Sequence, residues 1–191
     1  MRVIAGKYAG KKLLTPSGAS DVRPTTGMAK EALFNILSHA AFDGETAENA
    51  LVGARVADIC CGFGALGIEA LSRGATFATF VDLSSDNLRL ARDNVEKIGA
   101  RNDADFVRAD IAKLPDARAP YDVIFLDPPY GSGLQSHIAD LPEKHWIVPG
   151  GAVVLECPKQ EEWNDTLKGW ELYADRLYGK TRLCIAVYRG A

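Results

Sequence analysis

The chain has 191 residues, the length of one domain with at most a small appendage, and its 47% hydrophobic and 25% charged content is ordinary for a globular protein. No apolar run approaches 18 residues and no signal-peptide core is visible, so a membrane span is excluded on sequence and a soluble, cytoplasmic protein is expected. The net charge of −3 argues against a general nucleic-acid binder, yet residues 1–30 carry Arg2, Lys7, Lys11, Lys12, Arg23 and Lys30 against Asp21 alone, a balance of +5. The other residues carry 16 basic and 24 acidic groups, a balance of −8. Such a basic N-terminal surface suits phosphates, although a solvated hairpin with lysines guarding its edge has the same composition.

Taken in order, residues 2–14 read as a short β-hairpin: Arg2-Val3-Ile4-Ala5, a connection through Gly6 to Gly10, then Lys11-Lys12-Leu13-Leu14. A link from Pro16 to Asp21 and the segment Arg23-Pro24-Thr25-Thr26 lead into a helix. There Ala29, Leu33, Ile36, Leu37 and Ala40 fall at helical spacing, with Lys30, Glu31 and Asn35 on the other face. Asp43 to Asn49 is polar and reads as a surface connection.

From Gly53 onward strands and helices alternate, the signature of a parallel α/β sheet. Strands are predicted at 55–59, 77–82, 105–108, 123–127 and 152–156, with helices between them. The clearest helix runs from Ser85 to Ile98, where Leu88, Ala91, Val95 and Ile98 form a stripe and Gly99 supplies a C-cap. Two further β-like runs, 170–177 and 183–188, flank Tyr178-Gly179-Lys180-Thr181 and predict a terminal antiparallel hairpin. Cys60 and Cys61 are adjacent while Cys157 and Cys184 lie far apart, which matches neither a zinc spacing nor a secreted disulfide framework. Free thiols and no metal site are expected. His39, His137 and His145 carry no motif.

The first α/β strand runs into Asp58-Ile59-Cys60-Cys61-Gly62-Phe63-Gly64-Ala65-Leu66-Gly67, a literal G-x-G-x-x-G. In a dinucleotide enzyme such glycines let the backbone approach a pyrophosphate, and an acid about 20 residues on, here Asp82, meets the ribose. NAD is therefore one candidate. Asp58, four positions before the glycines, points elsewhere: a carboxylate there repels pyrophosphate but suits the ammonium of S-adenosylmethionine. Helix capping by Asp58 and turn formation by Asp82 are the purely structural alternatives.

The stretch Tyr121-Asp122-Val123-Ile124-Phe125-Leu126-Asp127-Pro128-Pro129-Tyr130 reads as a strand covered on both faces that stops at two prolines, leaving Asp127 extended at its carboxyl edge. Ligands bind at that edge of open α/β sheets. Asp127 to Tyr130 resembles motif IV of amino-methyltransferases that act on exocyclic nitrogens of adenine, cytosine or guanine. The Asp127 carboxylate and the Pro128 carbonyl are two acceptors able to hold an amino group's hydrogens, and Tyr130 offers a ring on which an extruded base can stack. A strand-ending turn is the plainer alternative.

Over nearly its whole length the chain resembles the bacterial small-subunit (16S) ribosomal RNA guanine-N2 methyltransferases of RsmD type. The matching stretches are Arg2-Val3-Ile4-Ala5-Gly6-Lys7, Arg23-Pro24-Thr25-Thr26, Lys30-Glu31-Ala32-Leu33-Phe34-Asn35, Gly64 to Gly74, and Leu126 to Tyr130. The resemblance implies a class I S-adenosylmethionine-dependent methyltransferase fold, Rossmann-like, with a seven-stranded mostly parallel sheet. It further implies a basic hairpin and linker over residues 1–22 ahead of a methyltransferase domain over 23–191.

By the same resemblance, Asp58, Cys60, Gly62 and Gly64 line the methionine end of S-adenosylmethionine with Arg23 and Thr25 nearby. Asp82, beside Leu83, holds the ribose, and Asp110, beside Ile111, the adenine. Asp127, Pro128, Pro129 and Tyr130 hold the guanine, and Arg2, Lys7, Lys11 and Lys12 face RNA. The implied partner is ribosomal RNA or an assembling small subunit, met by a monomer away from any membrane. Alternatives are methylation of adenine N6 or cytosine N4 in RNA or DNA, N-methylation of a protein side chain, or a non-catalytic RNA-binding assembly factor on the same scaffold. The chain departs from the family pattern at Phe63, expected beside the cofactor, at Gly27 and at Lys180.

Overall fold

The alternation that begins at Gly53 builds one sheet from β1 (Arg55–Ile59), β2 (Phe77–Asp82), β3 (Ala104–Arg108), β4 (Tyr121–Leu126), β5 (Ile147–Pro158), β6 (Trp170–Tyr178) and β7 (Thr181–Tyr188). The computed structural model describes residues 1–16, 27–42, 48–127, 134–163 and 165–190. The strand order is β3-β2-β1-β4-β5-β7-β6. Neighbours from β3 to β5 are parallel, and β7 runs antiparallel to both β5 and β6. The predicted terminal hairpin is therefore present, and it completes the sheet.

Among the described residues, four α-helices accompany the sheet: α1 (Gly27–Leu37), α2 (Ala65–Ser72), α3 (Ser85–Ile98) and α4 (Leu134–Ala139). The period-two alternation of the strands sorts their side chains between two cores. Val56, Phe80, Val123, Phe125 and Val154 face α1, α2 and α3 in one cluster, which also takes Val3, Tyr8 and Leu13 of the N-terminal segment. Ala57, Ile59, Val81, Ile124, Leu126 and Val153 face Ile138, Leu141 and Trp146 in the other. Val123 to Leu126 are at most 1% exposed, as a strand covered on both faces requires.

Two expectations are corrected. The connection from β3 to β4 holds no α-helix: its one regular element is a 3₁₀ turn, Ile111–Lys113. Pro115 and Pro120 explain this, since each lacks the N–H a helix needs. Lys30 is not on a solvent face of α1 but 1% exposed, with its ammonium 3.2 Å from Glu69 Oε2 on α2.

The predicted N-terminal hairpin is held more by the domain than by itself. Its own pairing is one bridge, Arg2 with Lys12, with cross-strand bonds from Val3 N–H to Lys11 O at 3.0 Å, Gly10 N–H to Val3 O at 2.9 Å and Leu13 N–H to Met1 O at 3.1 Å. Gly6 lies so close to the last turn of α2 that a Cβ there would sit 1.8 Å from Ser72 O, and its φ of +82° favours glycine independently. The link residues 17–21, Arg23 to Thr26 and the connection 43–47 lie outside the described residues. No helix among the described residues is long and apolar enough to cross a membrane.

Candidate active site

The site is assembled where β1, β2 and β4 end. Ile59 is level with Val81 on one side and with Leu126 on the other. The next residues, Asp82, Cys60 and Asp127, therefore stand abreast along the carboxyl edge, where the strand order reverses between β1 and β4. Cys60 has φ +62°, which turns the chain sharply into the glycine loop.

The glycines divide their work. A Cβ on Gly67 would lie 2.5 Å from Phe80 Cε1, so this position exists to let α2 press against β2. Gly64 precedes α2 in the left-handed region at φ +83°, with Phe80 and Ala91 3.1 and 3.2 Å from where a Cβ would be. Gly62, at φ +53°, has nothing within 4 Å of that position. Its backbone faces open space, as close approach to a bound cofactor requires.

Two acids fix this loop. Asp82 Oδ2 accepts Gly62 N–H at 2.9 Å, while Oδ1 accepts Ser84 N–H at 2.9 Å and the Asn87 amide at 3.2 Å. An ionised carboxylate has about four lone-pair sites, so one remains for a ligand hydroxyl. Asp58 is 2% exposed and its Oδ2 accepts Gly67 N–H at 2.8 Å, which caps the N-terminus of α2. Burial outweighs that bond and the charge of Lys30, and pushes the Asp58 carboxyl up to about 7.

This shift makes the unliganded protein pH-dependent. In the unfolded chain Asp58 ionises near 4, so between about pH 4 and 7 the folded state binds more protons and stability falls as pH rises, by about 4 kcal/mol at most. Denaturant midpoints are expected to drop from pH 5 to pH 7.5. Asp58→Asn, which keeps an acceptor for Gly67, should flatten that slope. An unchanged slope would show that burial of this carboxyl is not the cause.

Four acids surround Cys60. Burial first, then the fields of Asp82, Asp58, Asp127 and Asp110, push its thiol up to about 12, and burial likewise raises Cys61. Neither is a nucleophile at neutral pH. The carboxyl groups gathered here suit a sulfonium and an ammonium better than a pyrophosphate. The donor set thus fits S-adenosylmethionine. Asp110 is half-buried with Oδ1 on Ala112 N–H at 3.0 Å, and Ile111 beside it is half-buried as well. Leu83 is 60% exposed, an apolar surface at the end of β2 with its carbonyl held by Arg108.

Asp127 is half-buried immediately after β4. Pro128, Pro129 and Tyr130 lie outside the described residues, as do Arg23 and Thr25. Phe63, between Gly62 and Gly64, is 7% exposed and packs in the core on the α1–α3 side.

The N-terminal segment docks along α2. Lys7 N–H bonds Ser72 O at the last turn, about 12 Å down an eight-residue helix from the glycine loop. From there the chain climbs back. Leu14 exchanges bonds with the Asn94 side chain on α3, at 2.6 Å to its N–H and 3.0 Å to its carbonyl, and the same amide donates to Phe63 O at 2.9 Å. Arg2, Lys7, Lys11 and Lys12 are all exposed along this path, with Lys7 Nζ over the Tyr8 ring at 5.1 Å.

Sequence reasoning passed over three buried polar residues, Glu69, Ser72 and Asn94. Each carried a signal. Glu69 is the one charge in Ala-Leu-Gly-Ile-Glu-Ala-Leu-Ser, and Asn94 falls three residues after Ala91 within the apolar stripe of α3.

Comparison with known proteins agrees with this geometry. A family model described as conserved hypothetical protein 95 matches residues 1–187. A candidate rRNA methyltransferase of Bacillus subtilis, YlbH, is 32% identical over 195 residues, covering 100% of each chain. The ribosomal RNA small subunit methyltransferase D of Escherichia coli K12 is 28% identical over 181 residues, 94% of this chain and 86% of that protein. Among solved structures, a candidate methyltransferase of Escherichia coli, YhhF, aligns with a TM-score of 0.80 at 26% identity, over 98% of this chain and 97% of that one. The chain therefore belongs to the conserved hypothetical protein 95 family and is a class I S-adenosylmethionine-dependent methyltransferase.

Proposed function

We propose that this enzyme methylates the exocyclic N2 of a guanine in small-subunit ribosomal RNA, acting in the cytoplasm as a monomer on the RNA or on an assembling subunit. One observation carries the reading: Asp127 ends the central strand abreast of the glycine loop, so an amino group held there lies beside the donor pocket. The choice of RNA rests on the kinship to small-subunit methyltransferases and on the exposed basic path from Lys7 to Lys12.

S-adenosylmethionine, when bound, supplies a methyl group activated by its sulfonium. The residues of the chain do the rest. Asp58 and the Gly62–Gly64 backbone face the methionine end, Asp82 the ribose, and Asp110 with Leu83 and Ile111 the adenine. Asp127 accepts a hydrogen bond from the guanine amino group and, with the Pro128 carbonyl, orients its lone pair; Tyr130 stacks on the base. Asp127 need not be a strong base: as the new N–C bond replaces the sulfur–methyl bond the amine becomes acidic, and its proton leaves late to water. Residues 1–22 serve as the RNA-holding segment of the methyltransferase domain over 23–191.

The RNA assignment is tested by reversing charge at Lys11→Glu and Lys12→Glu. Each lysine that meets a phosphate contributes about 0.7 to 0.9 to the slope of log affinity against log salt, so the double variant should lose roughly 1.5 from that slope. The affinity for S-adenosylhomocysteine should stay unchanged. Equal salt slopes in wild type and variant would remove the hairpin from the RNA interface.

A further inference from the structure

Among the buried polar residues of the molecule, two sets stand apart by what they hold. Asp58 and Asp82 hold the glycine loop. Glu69, Ser72 and Asn94 hold the N-terminal segment, and they do so through its backbone. Glu69, 0% exposed, accepts Ile4 N–H at 2.8 Å on one oxygen and Ala5 N–H at 3.0 Å on the other. It also takes Arg73 Nε at 2.9 Å and Lys30 Nζ at 3.2 Å. Ser72 Oγ accepts Tyr8 N–H at 2.9 Å and donates to Ala5 O, and Asn94 closes the line at Leu14.

We infer that Glu69 is a positioning residue for the RNA substrate: its carboxylate clamps two consecutive N–H groups of the hairpin and so fixes where Arg2, Lys7, Lys11 and Lys12 present their charges. The inference rests on the RNA reading above. A two-stranded hairpin with one bridge and a few cross-strand bonds of its own is marginally stable in water. Its shape is therefore set by what it docks on, and the docking is polar, directional and buried. A hydrophobic contact alone, such as Val3 and Leu13 supply, would let the strand slide; two bonds to one rigid carboxylate fix its register.

The charge economy of the site supports the same role. Burial by itself would raise the Glu69 carboxyl, but Lys30, the Ile4 N–H, Arg73 and the Ala5 N–H together hold it below its ordinary value. Glu69 is thus the charged acceptor that a clamp on two amides calls for. Lys30 makes its only ion pair among the described residues with this carboxylate, which ties α1 to the same point. Glu69 bonds the hairpin, Arg73 and Lys30 and not the glycine loop, so its loss should move RNA binding and leave the chemical step.

The experiment is Glu69→Gln in the full chain, read in two ways. By amide hydrogen exchange, Ile4 and Ala5 are expected to exchange about tenfold faster or more, while Gly62 and Gly67 keep wild-type protection. With small subunits lacking the modification as substrate, KM for RNA should rise about tenfold or more and kcat stay within about threefold. A folded variant with unchanged exchange at Ile4 and Ala5, or with kcat lowered and KM intact, overturns the inference. Should Glu69→Gln fail to fold because Lys30 is left unpaired, the double variant Lys30→Met with Glu69→Gln removes the stranded charge and should show the same two effects. If that variant also fails to fold, Glu69 is a folding element and the positioning role falls. Should wild type methylate no RNA, the RNA reading falls with it, while the exchange data still decide whether Glu69 clamps the hairpin.

Discussion

Asp127→Ala is expected to lower methyl transfer to ribosomal RNA by about a hundredfold to a thousandfold, the loss that follows removal of one preorganised hydrogen-bonding group at a reacting centre. The affinity for S-adenosylhomocysteine should stay within about threefold, a split that assigns the loss to the reaction. The lone pair of an exocyclic amino group is delocalised into its ring, so the group must be held with its hydrogens directed to acceptors as nitrogen attacks. Asp127 stands at the end of a strand whose four preceding residues are at most 1% exposed, and its neighbours across the sheet are Cys60 and, beyond it, Asp82. A carboxylate on so rigid a mount can aim a bond. Single-turnover rates with unmodified small subunits give the comparison, and a variant within about threefold of wild type in rate would strip Asp127 of its role.

Asp82→Ala has the second largest expected effect, on cofactor affinity. Its carboxylate holds Gly62, Ser84 and Asn87 at once and leaves one lone-pair site, which the proposed function gives to a ribose hydroxyl. Removing it costs the ligand's own charged hydrogen bond, worth about 1.5 to 3 kcal/mol, and frees the loop that the ligand needs in place. The dissociation constant for S-adenosylhomocysteine should rise about a hundredfold or more, since each 1.4 kcal/mol is a factor of ten. Asp82→Asn retains one acceptor oxygen and should lose less. Calorimetric titration separates these cases, and an alanine variant that binds within about threefold of wild type would reduce Asp82 to a loop brace.

How much of this was legible in the sequence depends on how local the cause is. Ser85–Ile98 was readable because its apolar stripe and Gly99 cap are encoded within a few residues; Gly99 does end it in the left-handed conformation at φ +82°, and Ser84 caps its start by accepting Asn87 N–H. The strands were readable from short apolar runs, although β5 extends from Ile147 to Pro158, well beyond the predicted 152–156, because Val148 to Gly150 carry no apolar pattern. The connection between β3 and β4 was misread as helical despite Pro115 and Pro120.

In the site, Asp82, Cys60 and Asp127 were legible because strand ends in a parallel sheet converge whatever the intervening sequence. The hairpin clamp was not. Glu69 and Ile4 are 65 residues apart and meet only in three dimensions, and a lone glutamate in an apolar helix gives no hint of its partners. Lys30 shows the same limit. At the surface-like position its sequence suggests it would be a solvated charge, and only the approach of α2 makes it half of a buried pair. Phe63 shows another non-local outcome: the sequence places it in the cofactor loop, and the fold packs its ring into the core.

The most direct test of the functional account is mass spectrometry of nucleosides from small-subunit ribosomal RNA, in cells with the gene, without it, and with the Asp127→Ala form. The account predicts one N2-methylguanosine that disappears with the gene and is not restored by the alanine form. An RNA whose methylated guanosines are identical in all three, or a loss confined to N6-methyladenosine or N4-methylcytidine, would contradict it.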